Sequence, residues 1–272
     1  MDIPVTGVGG ALRIMSFNVR YGTAEDGEDS WRHRRSSAIK IVQEFAPDVA
    51  GLQEALDFQV DEFLAAMPGY ESIGVGRDDG GRRGEFAPLL YKISRLIPLE
   101  GGTFWLSATP LEPGSRHPGC YHPRICVWSR FQDRQSGKSF LTCNLHLDNE
   151  SAQARREGVE LVLRAINGNA AFMRAERKGP AIVLGDFNAG EQDPCVEAMR
   201  AAGFRDTFRV VHPAISDVAT YHGFGEGSNS DKIDYVWVDT QWIAVDATIV
   251  RDRIDGKWPS DHYPVTALIR ND

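Results

Sequence analysis

PAIVLGDFNA, residues 180–189, is the stretch on which the fold turns. Four apolar residues lead to Gly185, and then a polar pair, Asp186 and Asn188, flanks Phe187. A short run this apolar reads as a strand covered on both faces, and its polar end as a delivery of side chains to a rim. The same design recurs outward along the chain. SFLTCNLHLD (139–148) ends near His146, and IDYVWVD (233–239) opens near Asp234. LRIMSFNVR (12–20) runs into Asn18, DVAGLQEA (48–55) into Glu54, and YPVTALIR (263–270) follows directly on Asp261 and His262. An apolar strand is rigid, so its end can hold a polar group in a defined geometry. Six such ends, together supplying Asn, Glu, His and Asp, point to one shared site.

Between these strands lie helical and looped stretches. WRHRRSSAIKIVQEF (31–45) carries Ala38, Ile41, Val42 and Phe45 at helical spacing, with Ser30 as N-cap and Pro47 just beyond the end. A second helix carries Phe58, Leu64 and Met67, a long one is expected from Ser151 to Arg177, and another over 193–203 stops at Gly203. YESIGV, FAPLLYK, RLIPLEGGTFWL and RICVWSRF read as further strands, with a hairpin turn over Asp133 to Gly137. Residues 107–123 and 221–232 read as loops. The organisation predicts an α+β fold, a four-layer α/β/β/α sandwich of two packed, mainly antiparallel or mixed sheets with helices outside. Residues 1–11, rich in Gly, read as a flexible arm before a single domain over 12–272.

Composition narrows the function classes. The 272 residues carry 30 Lys plus Arg against 38 Asp plus Glu, a net charge of −8. That balance argues against bulk electrostatic binding of long nucleic acid, although a bound divalent metal would change the local field of a nuclease. The one short basic cluster is WRHRRSS. No apolar run is long enough to span a bilayer. Four cysteines without a CxxC pair read as free thiols of a cytoplasmic enzyme. Trp105, Trp128, Trp237 and Trp242 sit in apolar runs and read as core. GxxxxGK[ST], GxSxG and HExxH are all missing, and no thiolate joins the polar set. Carboxylates and amides are oxygen ligands suited to Mg²⁺ or Mn²⁺, so water activated by a metal is the expected chemistry.

In order and spacing, SFNVR, LQEA, NLHLDN, GDFNA, KIDYVWV and PSDHYPV resemble the signature blocks of the endonuclease/exonuclease/phosphatase superfamily, over Leu12 to Ile269. RGEFAPLLYK, TFWLSATP and PRICVW resemble a compact bacterial branch of it. The resemblance implies Glu54 as the principal metal carboxylate, with Asn18 beside it and Asp261 as a further metal residue. It implies Asp186 positioning or deprotonating the attacking water, and Asn188 holding phosphate or water. His262 would contact a phosphate oxygen with Asp261 fixing its ring, His146 would be the second such histidine, and Asp234 would orient a histidine, His146 first. Tyr91, Arg124, Arg82 and Arg83 are candidates for substrate contact, and Arg77 shares the loop of the last two. His117, Tyr121 and His122 read first as a surface loop, with a place at the mouth as the alternative. The implied activity is in-line hydrolysis of a phosphate ester or phosphodiester of a small soluble molecule, by a Mg²⁺-dependent (or Mn²⁺-dependent) monomer that binds no membrane. The alternatives are a Mg²⁺-dependent DNA or RNA nuclease acting on short nucleic acid, and a binding module that keeps the fold without the chemistry.

Overall fold

Alternation along the first strand sets the layers. In the computed structural model, which describes residues 10–168, 179–225 and 231–271, β1 (Leu12–Asn18) is buried along nearly its whole length. Ile14 faces a core shared with Val49, Leu89, Ile182, Leu184 and Val236, while Met15 and Phe17 face Ile41, Phe45, Val60 and Phe63. Successive strand residues point to opposite faces, so one strand serves both an inter-sheet core and a sheet–helix core. The first sheet has the order β11-β12-β1-β2-β4-β3, with β2 (Val49–Gln53), β3 (Tyr70–Ile73), β4 (Leu89–Lys92), β11 (Ile243–Ile249) and β12 (Val265–Arg270). The second has the order β5-β6-β7-β8-β10-β9, with β5 (Leu96–Trp105), β6 (Ile125–Asp133), β7 (Ser139–His146), β8 (Ala181–Asp186), β9 (Arg205–Asp206) and β10 (Asp234–Val238). Helices α1 (Trp31–Phe45) and α2 (Asp57–Ala66) cover the first sheet, and α3 (Ala152–Ile166) and α4 (Pro194–Ala201) the second. The architecture is the expected four-layer α+β sandwich with two mixed sheets.

Each sheet contains one parallel pair, β1 with β2 and β7 with β8. A parallel pair needs a crossover, which α1 and α3 supply. Glycine lets the sheets and strands approach closely. A Cβ on Gly51 would collide with Leu184 and come within 2.6 Å of the Asn144 side chain, and one on Gly185, at φ +148°, would strike the backbone of Leu145. Beneath the site, Asn144 joins the sheets: it donates to the carbonyls of Leu52 (2.8 Å) and Pro88 (3.0 Å) and accepts from Gln53 at 2.7 Å.

Several expectations need correction. The third helix ends at Ile166, where Asn167 and Gly168 (φ +73°) turn the chain, so it is shorter than the 151–177 span; residues 169–178 lie outside the described residues. Ser30 occupies the N-cap of α1, but its hydroxyl donates to the Gly27 carbonyl instead of accepting from the helix. A short helix α5 (Thr207–Val211), unforeseen in the sequence, is capped by Asp206. Of the expected arm, residues 1–9 lie outside the described residues, and Gly10 is tied down by Arg95, which donates to its carbonyl at 3.0 Å. The four cysteines are free and buried, and the four tryptophans named above are core.

Candidate active site

The parallel pairs carry the site. Asn18 ends β1 in register with Gln53, so Glu54 emerges just past the end of β2. His146 ends β7 in register with Asp186 at the end of β8, and Asp186 in turn faces Asp234 at the start of β10. Three chemistry-bearing side chains therefore lie abreast on adjacent strands. A cleft where the two sheets meet is lined by Glu54, His146, Asp186, Asn188, Asp261 and His262, and by Arg20, Tyr21, Arg77, Glu85, His122, Arg124, Asn149, Tyr221 and Ile233. Arg20, Glu54 and Asn188 adopt left-handed backbone (φ +56°, +59° and +49°), a conformation uncommon outside glycine that tends to collect at functional sites.

Asn18 is a strut. Its amide nitrogen donates to Glu54 Oε1 and to Asp186 Oδ2, both at 2.9 Å, and its oxygen accepts from the Arg20 N–H at 2.9 Å. The amide nitrogen thus spaces two carboxylates that a metal would share. Glu54 Oε2 accepts from the Tyr21 N–H at 3.2 Å.

The histidine partners also differ from expectation. His262 Nδ1 lies 2.9 Å from Asp234 Oδ2, so Asp234 orients His262, and neither His146 nor Asp261 is in that pairing. The Asp261 carboxylate instead lies 3.8 Å from the Arg20 guanidinium and accepts from the Ser260 hydroxyl at 3.1 Å. Burial works against a charge on His262, but Asp234, with Asp186 and Asp261 behind it, wins and raises its pKa to about 10. His146 goes the other way: burial first, then Arg124 and Arg77, push it well below the usual histidine range. A neutral His146 can accept at Nε2 from the Asn188 amide nitrogen, 3.0 Å away, with its Nδ1 3.8 Å from Glu85. Burial and the adjacent Asp234 raise Asp186 to about 7, against the opposing pull of His262, Asn18 and the Asn188 N–H.

Ligand atoms of Glu54, Asp186 and His262 lie within 4.8 Å of one another. His262, favoured in its charged form by Asp234, stands beside Glu54 and Asp186, the oxygen ligands of this cluster. With water they make a hard oxygen set that fits Mg²⁺ or Mn²⁺, and the crowded carboxylates are the negative charge such an ion would neutralise.

Arg124 lines the cleft, held by Asp148 (3.4 Å) and Asn149 (2.8 Å). Three other substrate candidates stand elsewhere. Tyr91 is core, its ring 5.2 Å from Phe131 and its hydroxyl on Glu71. Arg82 is exposed and paired with Asp57 and Asp61, and Arg83 is exposed and paired with Asp79. Their loop folds back on itself, and of its three arginines only Arg77, locked on both oxygens of Glu85 at 2.7 and 2.9 Å, reaches the cleft. Glu85, Arg20, Tyr21, Asn149 and Tyr221 were not foreseen. Glu85 had a signal, its place in the RGEF block; Tyr221 had none, because its backbone pairing with His262 spans 41 residues of chain. Arg34, from the basic cluster, is buried and donates to the carbonyls of Val19, Asp29 and Pro259 (each 2.8 Å) and Arg20 (3.1 Å).

A sequence model of the endonuclease/exonuclease/phosphatase family matches residues 15–262. Among solved structures, an endonuclease/exonuclease/phosphatase from Bacteroides vulgatus is 29% identical with TM-score 0.88, covering 96% of this chain and 99% of that one. A family protein from Bacteroides thetaiotaomicron is 30% identical (TM-score 0.87, 96% and 98% covered). A mannosyl-6-phosphatase from the same species is also 30% identical (TM-score 0.85, 95% and 99% covered). A comparison with curated proteins gives no match.

Proposed function

This chain belongs to the endonuclease/exonuclease/phosphatase family, and from that premise we propose that it is a Mg²⁺-dependent or Mn²⁺-dependent phosphohydrolase that cleaves a phosphate ester of a small molecule by in-line attack of water. The observation that carries this reading is the convergence of Glu54, Asp186, Asn188, His146 and His262 on one cleft. Glu54 and Asp186 would hold the ion, which when bound neutralises charge on the phosphoryl oxygens. Asp186, which also faces the attacking water, accepts its proton as that oxygen bonds to phosphorus. His262, kept cationic by Asp234, donates from Nε2 to a non-bridging phosphate oxygen. Arg124 supplies a second cationic contact to the phosphate, and Asn188 positions the neutral His146. The ester P–O bond breaks opposite the new one, and the alcohol leaves with a proton from solvent.

A small monoester is favoured over nucleic acid. The net charge is −8, and Arg34 of the one basic cluster is spent on interior carbonyls. The similar mannosyl-6-phosphatase is consistent with that choice. Four free buried thiols suit a cytoplasmic setting; among the described residues no helix is long and apolar enough to cross a membrane. The test is Mg²⁺-dependent phosphate release across sugar phosphates, nucleotides, inositol phosphates, aryl diesters and short DNA and RNA, with Glu54→Gln as control. Turnover of small esters, lowered at least about 100-fold by the substitution, is the expected result. Preferential cleavage of DNA or RNA would make it a nuclease, and no turnover of any substrate would favour a binding module.

A further inference from the structure

Two tyrosines, Tyr21 and Tyr221, line the cleft, and each has a neighbour against its ring. The Arg20 guanidinium lies 4.8 Å from the centre of the Tyr21 ring, and the Tyr221 ring lies 5.0 Å from that of His262. Tyr121 differs. Among the described residues it is the most exposed of the large hydrophobic ones, at 77%, and its ring meets only His122 there, at 4.7 Å and nearly perpendicular. His122 lines the cleft beside Arg124 and Asn149.

The loop that presents this pair is held in place. Arg116 donates to the Tyr121 carbonyl at 2.7 Å, the Cys120 N–H to the His117 carbonyl at 2.9 Å, and His117 Nε2 lies 3.2 Å from Glu157 on α3. Arg124 pins Asn149 through its oxygen; the Asn149 NH₂ makes no hydrogen bond among the described residues. His122 and the Asn149 amide thus line the cleft wall, and the exposed Tyr121 ring lies against His122 just outside that lining.

We propose that Tyr121, His122 and Asn149 form a subsite for the leaving group, and that this group is a hydroxyl-bearing ring of the sugar type. The inference rests on the phosphohydrolase reading above. A sugar ring offers C–H groups on its faces and hydroxyls at its edge. The C–H face packs on Tyr121, while the hydroxyls meet His122 and the Asn149 amide. Burial, with Arg77 and Arg124 nearby, lowers the pKa of His122 and keeps it neutral, able both to donate and to accept. These groups carry no charge for a second anion and suit a neutral polyol.

The experiment compares kcat/KM for a hexose 6-phosphate with that for glycerol 3-phosphate, under Mg²⁺, in the parent protein and in Tyr121→Ala, Tyr121→Phe and His122→Ala. Tyr121→Ala is expected to lower the ratio about tenfold, mainly through KM for the ring substrate, and Tyr121→Phe to restore it. A ratio unchanged in Tyr121→Ala, or equal loss on both substrates, overturns the proposal. Saturation-transfer NMR with the free hexose gives a readout independent of turnover: signal in the parent protein, lost in Tyr121→Ala. If the parent protein hydrolyses no ester yet shows that signal, the subsite stands and the phosphohydrolase reading falls. If it hydrolyses esters without the signal, the subsite falls alone.

Discussion

Asp234 and Asp261 show how much a single side chain's direction decides. Both are buried carboxylates near His262, but only Asp234 is hydrogen-bonded to its ring. The His262 pKa, raised from 6.5 to about 10, makes a signed prediction. The pairing contributes stability that is fully present below about pH 6.5 and is lost as pH rises through about 10. In metal-free Asp234→Asn, imidazole NMR should show His262 titrating well below its parent value, because burial then acts without the opposing carboxylate. Phosphate release should fall about 100-fold. Titration unchanged from the parent protein would remove Asp234 from the role assigned here.

The elements place these residues by register. His146, Asp186 and Asp234 stand abreast because β7, β8 and β10 pair at those positions, and a one-residue slip would turn all three away. Gly51 of β2 lets the two sheets approach and Gly185 of β8 lets β8 lie close to β7, so they are the places to perturb this packing. Gly51→Ala presses on side chains and should cost about 1–3 kcal/mol, as overpacking does. Gly185→Ala adds a backbone collision and a φ that L side chains rarely adopt, and should cost more than Gly51→Ala. Denaturant midpoints check the order; equal, small effects would show that the strands can move apart. Arg34 belongs to this scale as well. Its guanidinium joins the loop after β1 to Pro259, three residues before His262. Arg34→Leu should cost roughly 3 kcal/mol or more by stranding buried carbonyls, and the same melts would reveal it.

At the scale of the whole molecule, the two sheets bring opposite halves of the chain to one cleft and crowd its carboxylates. Asp186, raised from 3.8 to about 7 by burial and Asp234, binds a proton more tightly folded than unfolded. Its sign is therefore unfavourable at high pH: the folded metal-free protein loses stability as pH climbs from about 4 through about 7. A divalent ion offsets that loss and competes with the proton. The rise in Tm on adding Mg²⁺ should thus be larger near pH 8 than near pH 6, and smaller in Glu54→Gln at both. Equal increments at the two pH values, in a calorimetric scan, would place the ion away from Asp186.

The sequence by itself determined the layered α+β class and the set of polar residues at strand ends, because apolar runs closed by Asn, Glu, His or Asp are local patterns that burial enforces. It also determined that Glu54, His146, Asp186, Asn188, Asp261 and His262 would belong together, through the order of their motifs. Only the tertiary structure decided which partner each one has. Asp234 went to His262, Asn18 became a strut between Glu54 and Asp186, and Tyr91, Arg82 and Arg83 left the site. Glu85 and Tyr221 entered it. The physical reason is range: patterning is set by neighbours along the chain, whereas a hydrogen bond such as that between Asn18 and Asp186 spans 168 residues and exists only after the sheets have packed.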